Sequence, residues 1–235
     1  MSSARLQVCL DPAATAAAAA SYIATAITER LRVAANFSVA LSGGTTPKLM
    51  LARLTDESLE WDRLQVFQVD ERVAPAGDPA RNLNLIKDAV VTPGFLPVEN
   101  LHPMPVEAIS AHSDAAADRY AQSLCQRLNT PPILDLVHLG LGDDGHTASL
   151  IPGRPEIDRE DCDVLLTDLY QGHRRMTLSL PILNRARHRV WLVTGANKAA
   201  MLARLYAGDQ SIPAGRLSSA KTVIFADTAA AAGLT

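Results

Sequence analysis

One histidine of the 235-residue chain lies among glycines and carboxylates. Residues 140–147 read GLGDDGHT and place His146 two residues after Asp144. An imidazole can remove a proton from water near neutral pH, and a nearby carboxylate can fix its tautomer and stabilise the imidazolium that forms. These neighbours favour a general base over the alternative, an ordinary surface residue at a helix start. The remaining histidines have no such neighbours: His102, His112, His138, His173 and His188.

The same segment also matches the pattern GxGxxG, with Asp161 about 20 residues further on, which raises a dinucleotide-binding hypothesis. In such a site the pyrophosphate lies against the glycine loop. Asp143 and Asp144 would put two negative charges at that position and repel it. The charges therefore argue against a dinucleotide.

A second candidate segment, residues 42–48, reads SGGTTPK. Two glycines allow close approach of the backbone, three hydroxyls could donate hydrogen bonds, and Pro47 suits the first turn of a helix whose free N–H groups attract an anion. A phosphate cradle is one interpretation. A tight turn with Thr46 as the helix N-cap fits this segment equally well. No GK[ST] follows, so it is not a Walker loop.

Residues 40–44, ALSGG, come within one residue of the GxSxG nucleophile elbow, so a serine hydrolase is a competing hypothesis. In an elbow the helix starts directly after the serine, whereas Pro47 indicates a later start. No histidine follows His188 to complete the usual order of serine, acid and histidine. Ser42 is therefore a poor candidate nucleophile.

The third candidate segment is Asp70-Glu71-Arg72, directly after an apolar run. Two carboxylates and a guanidinium at a strand end could take part in acid-base chemistry and bind an oxyanion. A solvated run of charges is the alternative, and on this segment alone it is the favoured one, because structural ion pairs are common.

The elements that position these segments follow from alternating short apolar runs and longer helical periods, a pattern typical of α/β proteins. It predicts a single-domain Rossmann-like fold over residues 1–235, with a mostly parallel sheet and helices on both faces. In such sheets ligands bind beyond the carboxyl ends of the strands, where the three candidate segments lie. Residues 93–105 are interpreted as a surface loop. Strands are predicted at 6–10, 37–41, 64–69, 134–139, 164–167, 176–180, 190–193 and 223–225. Helices are predicted at 13–33, 47–54, 82–91, 113–128 and 198–206.

Composition limits the possible partners. With 48% hydrophobic and 20% charged residues and a net charge of -3, the chain is typical of a globular protein without the basic stripe that nucleic acid binding needs. Cys9, Cys125 and Cys162 are odd in number and widely spaced, which favours a reducing, cytoplasmic location. The apolar stretch 12–27 follows Asp11 rather than a basic flank, so a surface helix is favoured over a signal segment. No run has the length of a membrane span. The sequence does not indicate an oligomeric state and is compatible with a monomer.

Five motifs, in order along the chain, resemble the 6-phosphogluconolactonase family, which shares its fold with glucosamine-6-phosphate deaminases. They are LSGGTTP at 41–47, VDER at 69–72, GLGDDGHTASLIPG at 140–153, RMTL at 175–178 and GANK at 195–198. The resemblance implies that His146 is the base for the attacking water and that Asp144 orients it. It also implies that Asp70 and Arg72 face the sugar ring. The residues implied to hold the phosphate are Ser42, Gly43, Gly44, Thr45, Thr46, Arg175 and Lys198.

The resemblance further implies hydrolysis of a phosphorylated sugar lactone with no metal or organic cofactor. At Arg81-Asn82 family members often have Ser-Asn, so this part of the pocket rim departs from the pattern. The deaminase branch typically has tyrosine where this chain has Arg72 and a glutamate where it has Ile151, which disfavours deamination. A non-catalytic sugar-phosphate-binding regulator is a further alternative, although no DNA-binding segment is evident to give it an output.

Overall fold

A computed structural model of the chain describes residues 4–109 and 115–234. Its main sheet has seven strands, all paired in parallel, in the order β1-β10-β9-β6-β2-β3-β5. The predicted fold class is confirmed. The strands are β1 Arg5–Cys9, β2 Phe37–Leu41, β3 Leu64–Gln68, β5 Leu101–His102, β6 Leu136–Leu139, β9 His188–Val193 and β10 Thr222–Asp227.

A second, antiparallel sheet has three strands in the order β4-β8-β7: β4 Asp70–Arg72, β7 Val164–Tyr170 and β8 His173–Leu178. The predicted strands at 164–167 and 176–180 overlap β7 and β8, but the sequence did not indicate that they form a separate sheet; the prediction of 70–72 as a loop is wrong. β7 and β8 form a hairpin whose turn residues, Gln171 and Gly172, have positive φ angles of 50° and 84°. Turns of this kind match the twist of antiparallel strands.

Val69 joins the two sheets. It is fully buried between β3 and β4, its N–H donates to the carbonyl of Leu41 in the main sheet (3.0 Å), and its carbonyl accepts from the N–H of Leu178 in the small sheet (2.9 Å). The chain therefore passes from one sheet to the other with a single residue between the strands. The small sheet lies where β3 ends, beside the carboxyl edge of the main sheet.

Six α-helices surround the sheets in the described residues: α1 Pro12–Leu31, α2 Thr45–Leu54, α3 Asn82–Ile86, α4 Ala115–Arg127, α5 Leu180–Arg185 and α6 Ala199–Ala207. Asp11 caps α1 by accepting from the N–H of Ala14 at 2.8 Å. α3 continues into a wider turn over Lys87–Val91, so the predicted extent 82–91 holds. The predicted start of α4 at Ser113 lies outside the described residues. α5 was not predicted, because a strand was extended to Leu180.

The core has two parts, one on each side of the main sheet. Along β2 the side chains alternate between them: Val39 and Leu41 pack with α1 and α2, and Ala40 packs with the part that contains α4 and α6. All five residues of β2 are buried, as expected for a strand covered on both faces. Within the described ranges, none of the helices combines the length and the apolar character needed to cross a membrane.

Candidate active site

The three candidate segments converge on one cavity of about 400 Å³ at the carboxyl edge of the main sheet. The small sheet supplies the opposite wall. All the residues predicted to form a site line this cavity, which places them together but does not test their roles. They are Ser42, Gly43, Gly44, Thr45, Thr46, Asp70, Arg72, Asp144, His146, Arg175 and Lys198.

His146 is held by Asp144 through two hydrogen bonds. Asp144 Oδ1 lies 2.6 Å from His146 Nδ1 and accepts from the His146 backbone N–H at 3.0 Å. Burial alone would raise the pKa of the Asp144 carboxyl, but these contacts and a hydrogen bond from Tyr170 lower it below its ordinary value. An ionised carboxylate can only accept, so in the neutral imidazole Nδ1 bears the proton and Nε2 has the free lone pair. This is the tautomer that a base acting through Nε2 requires.

Gly142 allows this imidazole to lie where it does. A Cβ atom at position 142 would lie 2.0 Å from His146 Nδ1, far inside contact distance. The second glycine of the GxGxxG pattern is therefore needed for close packing of the histidine ring rather than for a pyrophosphate.

Asp70 is buried and held by two side chains. Its Oδ2 accepts from the Ser149 hydroxyl at 2.6 Å, and its Oδ1 accepts from the Asn82 amide at 3.1 Å. Asn82 in turn packs on Gly43, where a Cβ would lie 1.9 Å from Asn82 Oδ1. The carboxylate is thus fixed against the floor of the cavity, beside the glycine loop.

Glu71 has a structural position outside the cavity. It is fully buried and accepts from the Gln68 side chain (2.8 Å) and from the N–H groups of Asn82 (2.8 Å) and Leu83 (2.9 Å). Arg81 Nε lies 3.1 Å from its Oε2. The interpretation of this segment as a solvated charge run is wrong. So is the expectation that both of its carboxylates are available for chemistry.

Arg72 and Arg175 form a positive wall. They are register partners on β4 and β8, both line the cavity, and in the described part of the chain neither forms an ion pair. Their Nε atoms are buried without a hydrogen-bond partner there. Burial lowers the pKa of Arg175; Asp70 opposes this effect and Arg72 adds to it. Like charges opposite each other on neighbouring strands repel, so a bound anion would stabilise this pair.

Lys198 is not free in this structure. Its ammonium group is paired with Asp143 Oδ1, which also accepts from the Asn197 amide at 3.0 Å. The hydrogen bonds from Lys198 and Asn197 lower the pKa of Asp143. An anion that binds Lys198 must share it with this carboxylate or displace it.

The glycine loop differs from its prediction in two ways. The buried Ser42 hydroxyl donates to the carbonyl of His138 at 2.8 Å, and Thr46 Oγ1 lies 2.9 Å from Thr194 Oγ1. The three hydroxyls are therefore not all free donors, and Ser42 faces no base. α2 begins at Thr45 with Gly44 as its N-cap, so the alternative with Thr46 as N-cap is wrong. No described side chain caps this end of α2.

Sequence reasoning missed several residues that line the cavity. Tyr170 and Gln171 lie at the tip of the β7–β8 hairpin, and Thr194 follows β9. The Gln-Gly pair after a β-rich run was an available signal for the hairpin, but the sequence does not show where its tip lies. Among residues 4–109 and 115–234, no group of three or more histidine, cysteine or acidic side chains is arranged to hold a metal ion.

Known proteins resemble this chain over most of its length. The family model described as glucosamine-6-phosphate isomerases/6-phosphogluconolactonase matches residues 10–225. The chain belongs to this family. Other members of the glucosamine-6-phosphate isomerase/6-phosphogluconolactonase family are similar to this chain over most of its length.

A 6-phosphogluconolactonase of Synechocystis sp. is 35% identical over 189 residues, 79% of this chain and 78% of that protein. One of Nostoc sp. is 32% identical over 206 residues, covering 86% and 85% of the two chains. The solved 6-phosphogluconolactonase of Trypanosoma cruzi superposes with a TM-score of 0.88 at 28% identity, covering 100% of this chain and 98% of that one. The family resemblance therefore extends over the whole fold.

Proposed function

We propose that the chain hydrolyses 6-phospho-D-glucono-1,5-lactone to 6-phosphogluconate, the lactone-opening step of the oxidative pentose phosphate pathway. One observation carries the proposal: a histidine oriented by a carboxylate, His146 Nδ1 to Asp144 Oδ1 at 2.6 Å, shares a cavity with two arginines that form no ion pair among the described residues. The first group suits activation of water and the second suits an anionic substrate.

The reaction is acyl transfer to water without a covalent intermediate. His146 Nε2 takes a proton from a water molecule whose oxygen attacks the lactone carbonyl carbon. The carbonyl π electrons move onto its oxygen, and the resulting oxyanion is met by Arg72 or by loop N–H groups. When the intermediate collapses, the bond to the ring oxygen breaks and the imidazolium returns its proton to that oxygen. Asp144 stabilises the imidazolium while it exists.

The groups proposed to bind the phosphate line the same cavity as His146. Arg175 can donate two parallel hydrogen bonds, the backbone from Ser42 to Thr46 supplies N–H groups at the start of α2, and Lys198 adds a point charge once it is shared with Asp143. Asp70 and Arg72, which also line the cavity, contact the sugar ring. The hydroxyl of Ser42 is excluded from this role while it donates to His138.

The proposed chemistry uses groups of the protein alone. A lactone is an activated ester, so acid-base and electrostatic assistance of a few kcal/mol is enough for a useful rate without a metal or organic cofactor. Cys9, Cys125 and Cys162 are unpaired thiols, which supports the proposal of a reducing, cytoplasmic location.

Assignment of the whole chain to one domain stays a prediction.

Deamination of an amino sugar phosphate is the alternative within the family. The positions where that branch typically has a tyrosine and a glutamate hold Arg72 and the buried Ile151. A chain without that glutamate lacks the carboxylate that ring opening of an amino sugar is expected to use. This observation favours the lactonase.

The deciding experiment is hydrolysis of freshly prepared 6-phosphogluconolactone, corrected for its spontaneous opening. Acceleration by the pure protein, abolished in His146→Asn, supports the proposal. A protein that binds the lactone without accelerating its opening is a sugar-phosphate-binding regulator instead. Release of ammonia from glucosamine 6-phosphate identifies a deaminase.

A further inference from the structure

The tip of the β7–β8 hairpin contacts both Arg175 and the Asp144–His146 pair. Tyr170 and His173 are the last register partners of the hairpin, and Gln171 and Gly172 form its turn. Both Tyr170 and Gln171 line the cavity. No other part of the small sheet lies this close to the Asp144–His146 pair in the contacts of the described residues.

Tyr170 contacts both the histidine pair and an arginine. Its hydroxyl donates to Asp144 Oδ2 at 3.2 Å, on the oxygen opposite the one that holds His146. Its ring meets the His146 ring edge-on, with centroids 5.7 Å apart and planes at 71°. The guanidinium carbon of Arg175 lies 5.1 Å from the centre of the same ring, within cation–π range.

Gln171 completes a continuous path. Its Oε1 accepts from Arg175 Nη2 at 3.4 Å, and its Nε2 donates to the Tyr170 hydroxyl at 3.3 Å. The hydrogen bonds run from the Arg175 guanidinium through an amide, a phenol and the Asp144 carboxylate to the His146 ring. The links at 3.2 to 3.4 Å are long, so a small movement of Arg175 toward an anion can shorten or break them.

We infer that Tyr170 and Gln171 are positioning residues that couple binding of a phosphate at Arg175 to the orientation of the Asp144–His146 pair. The inference rests on the proposed function, because it assigns the phosphate to Arg175 and the base to His146. Phosphate binding then contributes to kcat as well as to affinity, as expected when binding at a remote group is used to orient the reacting centre.

Nuclear magnetic resonance tests the coupling without catalysis. The ring nitrogens of His146, assigned by comparison with His146→Asn, are followed while inorganic phosphate is added. We expect a phosphate-dependent shift in the wild-type protein that is lost in Tyr170→Phe and in Gln171→Asn, which shortens the amide but suits a positive φ. Leu169→Ala is the control, because Leu169 is 64% exposed on the same hairpin and does not line the cavity. If phosphate shifts the His146 resonances in Tyr170→Phe as much as in the wild-type protein, the inference is overturned.

Kinetics supply the second readout. Tyr170→Phe should lower kcat on the phosphorylated lactone about 5- to 20-fold with KM changed less than about 2-fold, and the ratio of kcat with and without the 6-phosphate should fall. The acid limb of kcat/KM should move to higher pH, because a carboxylate that loses a donor stabilises the neighbouring imidazolium more. The charged and titratable groups around this pair are Asp143, Tyr170, Arg175 and Lys198.

The outcomes separate the two proposals. A change in KM alone, with kcat and the acid limb unchanged, means that Tyr170 only contacts the substrate and overturns the coupling. If the wild-type protein does not hydrolyse the lactone, the proposed function fails, while the nuclear magnetic resonance arm still decides whether phosphate at Arg175 is sensed at His146.

Discussion

Arg72 and Arg175 lie directly opposite each other on neighbouring antiparallel strands, and both line the cavity that contains His146. Such a pair is unfavourable in the free protein and favourable around an anion. The short antiparallel sheet therefore brings two cations to the same wall of the cavity.

The first prediction concerns the phosphate contacts. Arg175→Ala and Lys198→Ala should each lose about 1.5 to 3 kcal/mol, or roughly 10- to 150-fold in kcat/KM, on the phosphorylated lactone and little on unphosphorylated glucono-lactone. Inorganic phosphate should raise the Tm of the wild-type protein but not that of Arg175→Ala. Equal proportional losses on both lactones would show that these side chains serve the fold or the chemistry instead.

The second prediction tests the base. His146→Asn should keep the wild-type Tm and lose about 10²- to 10⁴-fold in kcat, the usual contribution of general base catalysis. His173→Asn is a matched control, because His173 lies on the small sheet but does not line the cavity. Near wild-type kcat in a folded His146→Asn protein would remove this histidine from the mechanism.

The third prediction separates a structural serine from a nucleophile. Because the Ser42 hydroxyl donates to the His138 carbonyl, Ser42→Ala should cost about 0.5 to 1.5 kcal/mol of stability and less than about 10-fold in kcat. The measurements are urea unfolding and lactone hydrolysis. A loss of about 10⁶-fold, or covalent labelling of Ser42 by a fluorophosphonate, would favour the serine hydrolase.

The fourth prediction concerns Arg81, at the position where the chain departs from the family pattern. Its guanidinium lies between the fully buried Glu71 (3.1 Å) and the half-exposed Glu107 (2.6 Å). Arg81→Met should lower the free energy of unfolding by about 3 to 5 kcal/mol, because it leaves the Glu71 charge buried and unpaired. Glu107→Gln, the control on the exposed side, should cost less than about 1 kcal/mol. Similar losses in the two variants would contradict this assignment.

The fifth prediction concerns pH. Burial lowers the pKa of His138 to about 4, whereas an unfolded histidine has a pKa of about 6.5. Below pH 6.5 the unfolded chain binds a proton that the folded chain excludes, so this contribution to stability is complete above that pH and is lost as the pH falls toward 4. Urea unfolding between pH 7 and pH 5 should show a smaller loss of stability in His138→Leu than in the wild-type protein. Burial also lowers the pKa of His102 to about 4, so His102 should cause part of the loss of stability in both the wild-type protein and His138→Leu.

The sequence predicted the main sheet because short, mostly apolar runs such as 37–41 are typical of strands that helices cover on both faces. It placed the polar segments at the correct edge for the same reason. It did not reveal the small sheet. The polar residues Arg175 and Thr177 alternate with apolar ones, which indicates that β8 is a strand but not which strand pairs with it. Tyr170 was missed because its position depends on that pairing. The pairing of Lys198 with Asp143 depends on loop geometry that no local pattern encodes.

Val69, the one residue between β3 and β4, fixes how the two walls of the cavity are joined. His146 lies in the loop after β6 of the parallel sheet, Arg175 lies on β8 of the antiparallel one, and Val69 hydrogen bonds to both sheets through its own N–H and carbonyl. In the proposed site, the distance between the attacking water and the phosphate therefore depends on how the two sheets are joined. A phosphorylated lactone one carbon shorter or longer would dock its phosphate equally well and present its carbonyl at the wrong place. We expect the enzyme to tell such substrates apart by length, through kcat rather than affinity.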